Sequence, residues 1–219
     1  VTSPDPHRIV RADLEEAATV LALAFADDPL WVAIAPEAPA RARLLGRLYR
    51  LVLAPAVDAG RVIAIGRPVA GVAVWHLPGD ARSGPRGLLD AAIAAASLLP
   101  SAVSLARALR VQRTFAVMRQ VHATGRIARL EHVGVLPAAR GRGVASALIR
   151  PLLCRAEANG LPAWTETVTP GNVALYEHMG FKVVASAAVA PLGVTLWGLR
   201  REGPARGESD ARDTLRTGR

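Results

Sequence analysis

The chain has 219 residues, 51% of them hydrophobic and 21% charged, an ordinary globular balance that excludes wholesale disorder and collagen-like repeats. Its 27 basic residues, 26 of them arginine with Lys182 alone, outweigh 18 acidic ones for a net charge of +9. That excess raises nucleic acid, a membrane surface or a polyphosphate ligand as partners, with GC-rich codon usage as the plain alternative for the arginine bias. A single cysteine, Cys154, removes any intramolecular disulfide or cysteine-based zinc site and suits a reducing, cytoplasmic compartment.

Residues 1–6 hold no basic cluster leading into an apolar run, so no signal peptide is expected. A short strand is predicted over residues 7–11. Asp13 then reads as a helix N-cap with Glu16 three residues on, the spacing of a capping box, and Leu14, Ala17, Ala18, Leu21 and Phe25 carry the helix to about residue 26. Asp27-Asp28-Pro29 ends it. A second helix over residues 40–58 places Leu44, Leu45, Leu48, Leu51 and Val52 on one face, with Tyr49 as packing. Strands at 62–65 and 69–77 flank Gly66-Arg67-Pro68. Residues 87–123 read as helical, broken at Pro100 and capped again by Ser101. Within them the apolar run at 88–106 carries Asp90, Pro100 and three serines, which reads as soluble helix rather than a membrane span. Next come a strand at 127–136, a helix at 143–159, a strand at 163–168, a short helix at 172–179, and strands at 183–189 and 194–199. This order predicts an α/β (α+β) domain over residues 1–200, with a mixed sheet, helices on both faces and a helical insertion at about 86–123. Residues 201–219, with five arginines, four acids and Leu215 as their sole large aliphatic, are expected to be a disordered tail.

Residues 130–148 are the most informative. A strand enters the turn Arg140-Gly141-Arg142-Gly143, which opens directly into a helix with Leu148, Leu152 and Leu153 on its inner side. Such a turn exposes backbone N–H groups at the positive end of a helix, where phosphate oxygens fit. Small Gly141, Gly143 and Ala145 permit close approach, and Arg140 and Arg142 add charge. The turn lacks the Lys-Ser/Thr of a P-loop and the spacing of a dinucleotide fingerprint. About two dozen residues on, Asn172 and Tyr176 share a helix face, Gly180 suits a left-handed cap, and Phe181 is placed to pack back.

The pattern Val-x-Pro, Arg140-x-x-Gly143-x-Ala145 and Asn172-x-x-x-Tyr176-x-x-x-Gly180-Phe181 resembles the GNAT superfamily of N-acetyltransferases. Ala24-Phe25-Ala26-Asp27-Asp28-Pro29, Val74-Trp75-His76-Leu77-Pro78 and Thr195-Leu196-Trp197 further resemble its puromycin N-acetyltransferase branch. This resemblance implies a mostly antiparallel sheet whose two central parallel strands splay apart. It also implies acetyl-coenzyme A as co-substrate, with no metal, and an amine acceptor in a ternary complex. Backbone groups of Val133 and Val135 would hold the pantetheine arm, with Gly134 suited to a bulge. Amides of Arg140, Gly141, Arg142, Gly143, Val144, Ala145 and Ser146 would hold the pyrophosphate, and Asn172 and Tyr176 would lie beside the thioester.

A phenol, with an ordinary pKa of about 10, stays protonated at neutral pH and has a proton to hand to a departing thiolate, so Tyr176 is the expected general acid. The base is either Glu131, expected on the same strand face as Val133 and Val135, or Glu166 on the strand across the cleft. His132 is expected on the opposite face from Glu131, and Cys154 as a buried small residue. Asp27, Asp28, Trp31 and Trp75 are expected to bind the acceptor, with Trp164 and residues 87–123 as further walls. The acceptor is expected to be a small-molecule amine, antibiotic-like or metabolic; a protein N-terminus or lysine, or a non-catalytic nucleic-acid-binding role on the same fold, are the alternatives. Neither nucleic acid nor membrane is an expected partner, and the chain is expected to be a monomer or homodimer.

Overall fold

The computed structural model describes residues 5–80 and 101–204. The expected helix over residues 87–100 and the tail beyond residue 204 lie outside the described residues. Among the described residues seven strands form one sheet in the order β1-β2-β3-β4-β5-β7-β6. They are β1 (His7–Arg8), β2 (Val62–Ile65), β3 (Gly71–His76), β4 (Ala128–Val135), β5 (Ala163–Thr167), β6 (Lys182–Val189) and β7 (Val194–Arg201). Only β4 and β5 run parallel; every other neighbouring pair is antiparallel. The expected mixed, mostly antiparallel sheet with helices on both faces is what the chain forms.

The two faces are covered by different helices. On one lie α1 (Leu14–Ala24), α2 (Pro29–Ile34), α3 (Ala38–Asp58) and α4 (Ala102–His122). There Ala17, Ala18 and Leu21 of α1 and Leu45, Tyr49 and Leu53 of α3 pack onto Val62, Ala64, Val72 and Val74, while Val111, Phe115 and Met118 of α4 pack with Leu196. On the other lie α5 (Val144–Ala158) and α6 (Pro170–His178). Leu148, Ile149, Leu152 and Tyr176 pack there onto Ile63, Ile65, Ala73, Trp75 and Leu130. Strands β2 and β3 are buried at every position, so they read as continuous apolar runs rather than an alternation.

Several boundaries differ from the sequence-based expectation. A 3-10 turn at Arg11–Asp13 precedes α1, and no side chain caps that helix. Asp13 instead accepts from Val10 N at 3.4 Å, and Glu16 accepts from Val69 N at 2.8 Å, so the capping box is replaced by a tie from α1 to the strand connection. Asp28-Pro29 ends one helix and starts another: Asp28 Oδ1 accepts from Leu30 N at 2.9 Å and Pro29 takes the first turn, where its missing N–H costs nothing. Strand β7 runs on to Arg201, two residues past the expected end of that strand, and the Arg201 guanidinium pairs with Glu157. Cys154 is exposed on α5, not buried.

Two irregularities in the central strands open and shape the cleft between them. First, β4 and β5 pair only at Ala128 with Ala163 and Arg129 with Trp164, then diverge; Thr165 Oγ1 reaches across to the Leu130 carbonyl at 3.4 Å. Second, β3 and β4 slip register: Val74 faces His132 but Trp75 faces Leu130, leaving Glu131 as the extra residue of a bulge. The expected bulge at Gly134 is therefore three residues earlier. Gly134 serves close packing instead, since a Cβ there would sit 2.7 Å from Leu21 and 2.9 Å from Ala24 of α1.

Candidate active site

The Glu131 bulge reverses the strand's alternation. Leu130, Val133 and Val135 turn toward α5, while His132 and Gly134 turn toward α1 and α3. Glu131 thus does not share a face with Val133 and Val135, contrary to the plain alternation expected of a strand. Beyond Arg129 the edge of β4 that faces β5 has no strand partner among the described residues, which leaves backbone groups near Val133 available to a ligand.

Past Val135, a short 3-10 turn at Pro137–Ala139 leads into the glycine turn. Gly141 and Gly143 have φ of +74° and +77°, a left-handed backbone that favours glycine, and a Cβ on either would meet nothing within 4 Å. Gly143 is the N-cap of α5 and supplies no side-chain acceptor, and the first bond up the helix runs from Ala147 N to Gly143 O at 3.0 Å. The N–H groups of Val144, Ala145 and Ser146 therefore precede any intrahelical acceptor and point out of a positive helix end. Open space, exposed donors and glycine geometry together fit a pyrophosphate. Arg140, expected to add charge to this turn, is folded back: its Nη2 donates to Ala24 O at 2.9 Å and its Nε to Val135 O at 3.3 Å, fastening the turn to the end of α1.

This turn forms one wall of a cavity of about 490 Å³, bounded also by Val133, Val135, Asp27, Thr169 and Leu175. A second cavity, of about 530 Å³, lies toward α2, α3 and α4 and is lined by Trp31, Tyr49, Phe115, Arg119, Glu131, His132, Trp164 and Glu166 among others. Five residues line both: Phe25, Asp28, Val133, Asn172 and Tyr176. The two cavities thus meet where β4 and β5 have parted.

Tyr176 is held from both ends. Its backbone carbonyl accepts from Met179 N at 2.9 Å and Phe181 N at 3.1 Å around Gly180, whose φ is +84°. The Phe181 ring then meets the Tyr176 ring edge-on at 5.7 Å. Burial pushes the phenol pKa above its ordinary value, opposed in part by a hydrogen bond with Thr165. One turn earlier, Asn172 Nδ2 donates to Thr167 Oγ1 at 3.2 Å and ties α6 to the end of β5.

Three carboxylates border the second cavity, in different states. Glu166 is engaged at both oxygens: Arg119 Nη1 donates to Oε2 at 2.7 Å and Trp164 Nε1 to Oε1 at 2.9 Å. Burial raises its pKa, and Arg119 opposes the rise. Glu131 is partly exposed and lies 3.7 Å from Arg61. Asp28, at the junction, accepts from Leu30 N and, at 3.5 Å, from the Thr169 hydroxyl. Desolvation lifts its pKa despite those bonds.

Of the residues expected to bind the acceptor, Asp28 and Trp31 line the second cavity and exposed Asp27 the first. Trp75 lines neither: opposite Leu130 it turns into the α5 core, under the Arg155 guanidinium at 4.6 Å. Trp164 is a wall as expected. Residues given no acceptor role from sequence also border the space. Tyr49 stacks on Phe25 at 5.6 Å and meets His132 edge-on at 5.6 Å. Buried against these rings, His132 has a lowered pKa and is neutral near pH 7.

Residues 105–183 match the family model described as an acetyltransferase (GNAT) domain. A structure described as histone acetyltransferase HPA2 and related acetyltransferase, from Corynebacterium glutamicum, superposes with a TM-score of 0.69 at 22% identity, covering 94% of this chain and 99% of its own. Arylalkylamine N-acetyltransferase 2 from Aedes aegypti gives 0.62 at 14% identity, with coverage of 90% and 97%. The Drosophila melanogaster polyamine N-acetyltransferase gives 0.58 at 15%, with 90% and 98%. The fold of this chain is the one these acetyltransferases share.

Proposed function

We propose that this protein transfers an acetyl group from acetyl-coenzyme A to a primary amine of a small molecule, by direct attack in a ternary complex. One observation carries this: a cavity ending at a glycine-rich helix N-terminus meets a second, aromatic-lined cavity at Asp28, Asn172 and Tyr176. In this reading the N–H groups of Val144, Ala145 and Ser146 hold the pyrophosphate, with Arg142 beside them and Arg140 positioning the turn. The unpaired edge of β4 at Val133 holds the pantetheine arm.

An alkyl ammonium has a pKa near 10 and must lose a proton before it attacks. Asp28 is the carboxylate common to both cavities, and its desolvation makes it a stronger base than an ordinary aspartate. It therefore replaces Glu131 and Glu166 as first choice. Glu166, held by Arg119 and Trp164, shapes the wall, and Glu131 stands by Arg61. The freed amine nitrogen bonds to the thioester carbon, the carbon–sulfur bond breaks as the Tyr176 hydroxyl gives its proton to the departing sulfur, and the nitrogen, which still carries two protons on bonding, loses one to solvent to leave the neutral amide. Tyr176 then recovers a proton from solvent, and Asp28 releases one.

A small acceptor is favoured over a protein tail because α2, α3 and α4 all wall the second cavity. The likeness of residues 24–29 and 74–78 to the puromycin N-acetyltransferase branch agrees with an acceptor of that size. Among the described residues no helix is long and apolar enough to cross a membrane. We place the activity in the cytoplasm, without nucleic acid or membrane as partner, in a monomer or homodimer.

Calorimetric titration with acetyl-coenzyme A, followed by a screen of amines for thiol release, tests the proposal. Saturable coenzyme binding and amine-dependent thiol release are expected. No binding at submillimolar coenzyme overturns it.

A further inference from the structure

The charges around the acceptor-side cavity are unevenly placed, and their placement selects among amines; this step rests on the transfer proposed above. At the junction end stands Asp28, whose partners among the described residues are backbone N–H groups and a hydroxyl rather than a cation. At the other end, where β4 and β5 still pair, the wall carries Arg119, Arg129 and Glu166. Arg119 pairs with Glu166 at 2.7 Å, and among the described residues the Arg129 side chain makes no hydrogen bond or ion pair. Both guanidinium charges act on the one Glu166 carboxylate, which leaves this end with one positive charge over. Glu131 also lines this cavity, and its charge is met by Arg61 at 3.7 Å.

Between the ends the wall is mostly aromatic: Trp31, Tyr49, Phe115 and Trp164. Arg129 precedes Val133 by four residues, roughly 13 Å along a strand at ~3.3 Å per residue, shortened by the bulge and by the reach of the arginine itself. A molecule with its amine at Asp28 therefore extends an apolar body several carbons long before reaching Arg129.

We infer that the preferred acceptor is an amine whose far end bears a carboxylate, received by Arg129 with Arg119 beside it. A diamine or polyamine brings a second cation to the end that already holds two guanidiniums, and is disfavoured. Arginine rather than lysine suits the task, because its planar fork meets a carboxylate with two parallel bonds.

The test compares 8-aminooctanoate with octylamine, which share chain length and amine and differ at the far end. Equilibrium binding of each is followed by the fluorescence of Trp31 and Trp164 in the wild type, Arg129→Gln and Arg129→Lys, and thiol release from acetyl-coenzyme A is measured in parallel. The wild type is expected to bind the amino acid on the order of tenfold more tightly, with the ratio falling toward one in Arg129→Gln and partly restored in Arg129→Lys. Octylamine binding as tightly as 8-aminooctanoate, or an unchanged ratio in Arg129→Gln, overturns the inference. A binding preference for the carboxylate without thiol release supports it while overturning the transfer reaction itself.

Discussion

Asp28 and Thr169, the N-cap residues of two helices from opposite faces of the sheet, meet through a long hydrogen bond of 3.5 Å. Their contact lies at the parting of β4 and β5, where both residues border the cavity that ends at the glycine turn. Parting the parallel strands thus joins two helix beginnings, and places a desolvated carboxylate beside the helix that carries Tyr176.

Asp28→Asn removes the proposed base but keeps an acceptor for the Leu30 N–H. Its kcat/KM is expected to fall by about 10²- to 10⁴-fold. The sign of the pH effect is set by the ionised form being the active one. Activity rises with pH through a carboxylate pKa lifted above its ordinary range, and Asp28→Asn loses this part of the acid limb. Glu166→Gln, measured alongside, keeps that limb because it alters only the wall. A limb abolished by Glu166→Gln and retained in Asp28→Asn would exchange the two roles.

Tyr176→Phe deletes a single hydroxyl while leaving the ring in place against Phe181. Turnover should drop by about 10²-fold or more, with coenzyme affinity from calorimetry within about threefold of wild type. The raised phenol pKa keeps the acid loaded at every pH below about 10, so no basic limb from this group is expected before that point. A turnover equal to wild type would remove Tyr176 from the chemistry.

His132 makes a prediction about stability. Burial lowers its folded-state pKa below the unfolded value of about 6.5, so the unfolded chain binds more protons in the interval between the two. Stability from the neutral ring is complete above pH 6.5 and declines as pH falls toward the folded pKa, by at most ~1.4 kcal/mol per pH unit. Denaturant unfolding at pH 7 and pH 5 should show this loss in the wild type and a smaller one in His132→Gln. Equal losses would mean that the imidazole is not the group responsible.

Gly134→Ala tests the packing of α1 on β4. The added methyl lies 2.7 Å from Leu21 and 2.9 Å from Ala24, neither of which can swing clear, so overpacking should cost ~1–3 kcal/mol. Gly46→Ala is the contrast. Gly46 is inside α3 with nothing within 4 Å of its Cβ position, and alanine there should stabilise by ~0.5–1 kcal/mol. Thermal unfolding of the two variants should therefore move in opposite directions.

Much of the architecture is legible in local pattern. The apolar spacing of Leu44, Leu45, Leu48, Leu51 and Val52 places α3, although its buried face runs through Leu44, Leu45, Tyr49 and Leu53 while Leu48, Leu51 and Val52 are only partly covered, and the turn from Arg140 to Gly143 announces a helix with exposed donors. Two kinds of feature are not. The bulge at Glu131 depends on how β3 lies against β4, and no local signal in residues 128–135 separates it from regular alternation; the faces of Leu130 and Glu131 relative to Val133 and Val135 change with it. The partners of Arg140 and Glu166 are likewise tertiary. An arginine in a phosphate turn looks like an anion ligand until Ala24 is seen to accept from it, and a glutamate across a cleft looks like a base until Arg119 and Trp164 occupy its oxygens. The Asp28-Pro29 step could have been read as a helix start as well as a stop, since aspartate at the N-cap followed by proline is a frequent opening pair.

The central claim is that acetyl-coenzyme A and amine occupy joined cavities at once and react directly. Initial rates of thiol release, measured over a grid of acetyl-coenzyme A and amine concentrations, test it most directly. Double-reciprocal plots that intersect are the predicted result. Parallel lines, the mark of an acetylated enzyme formed before the amine binds, would contradict it.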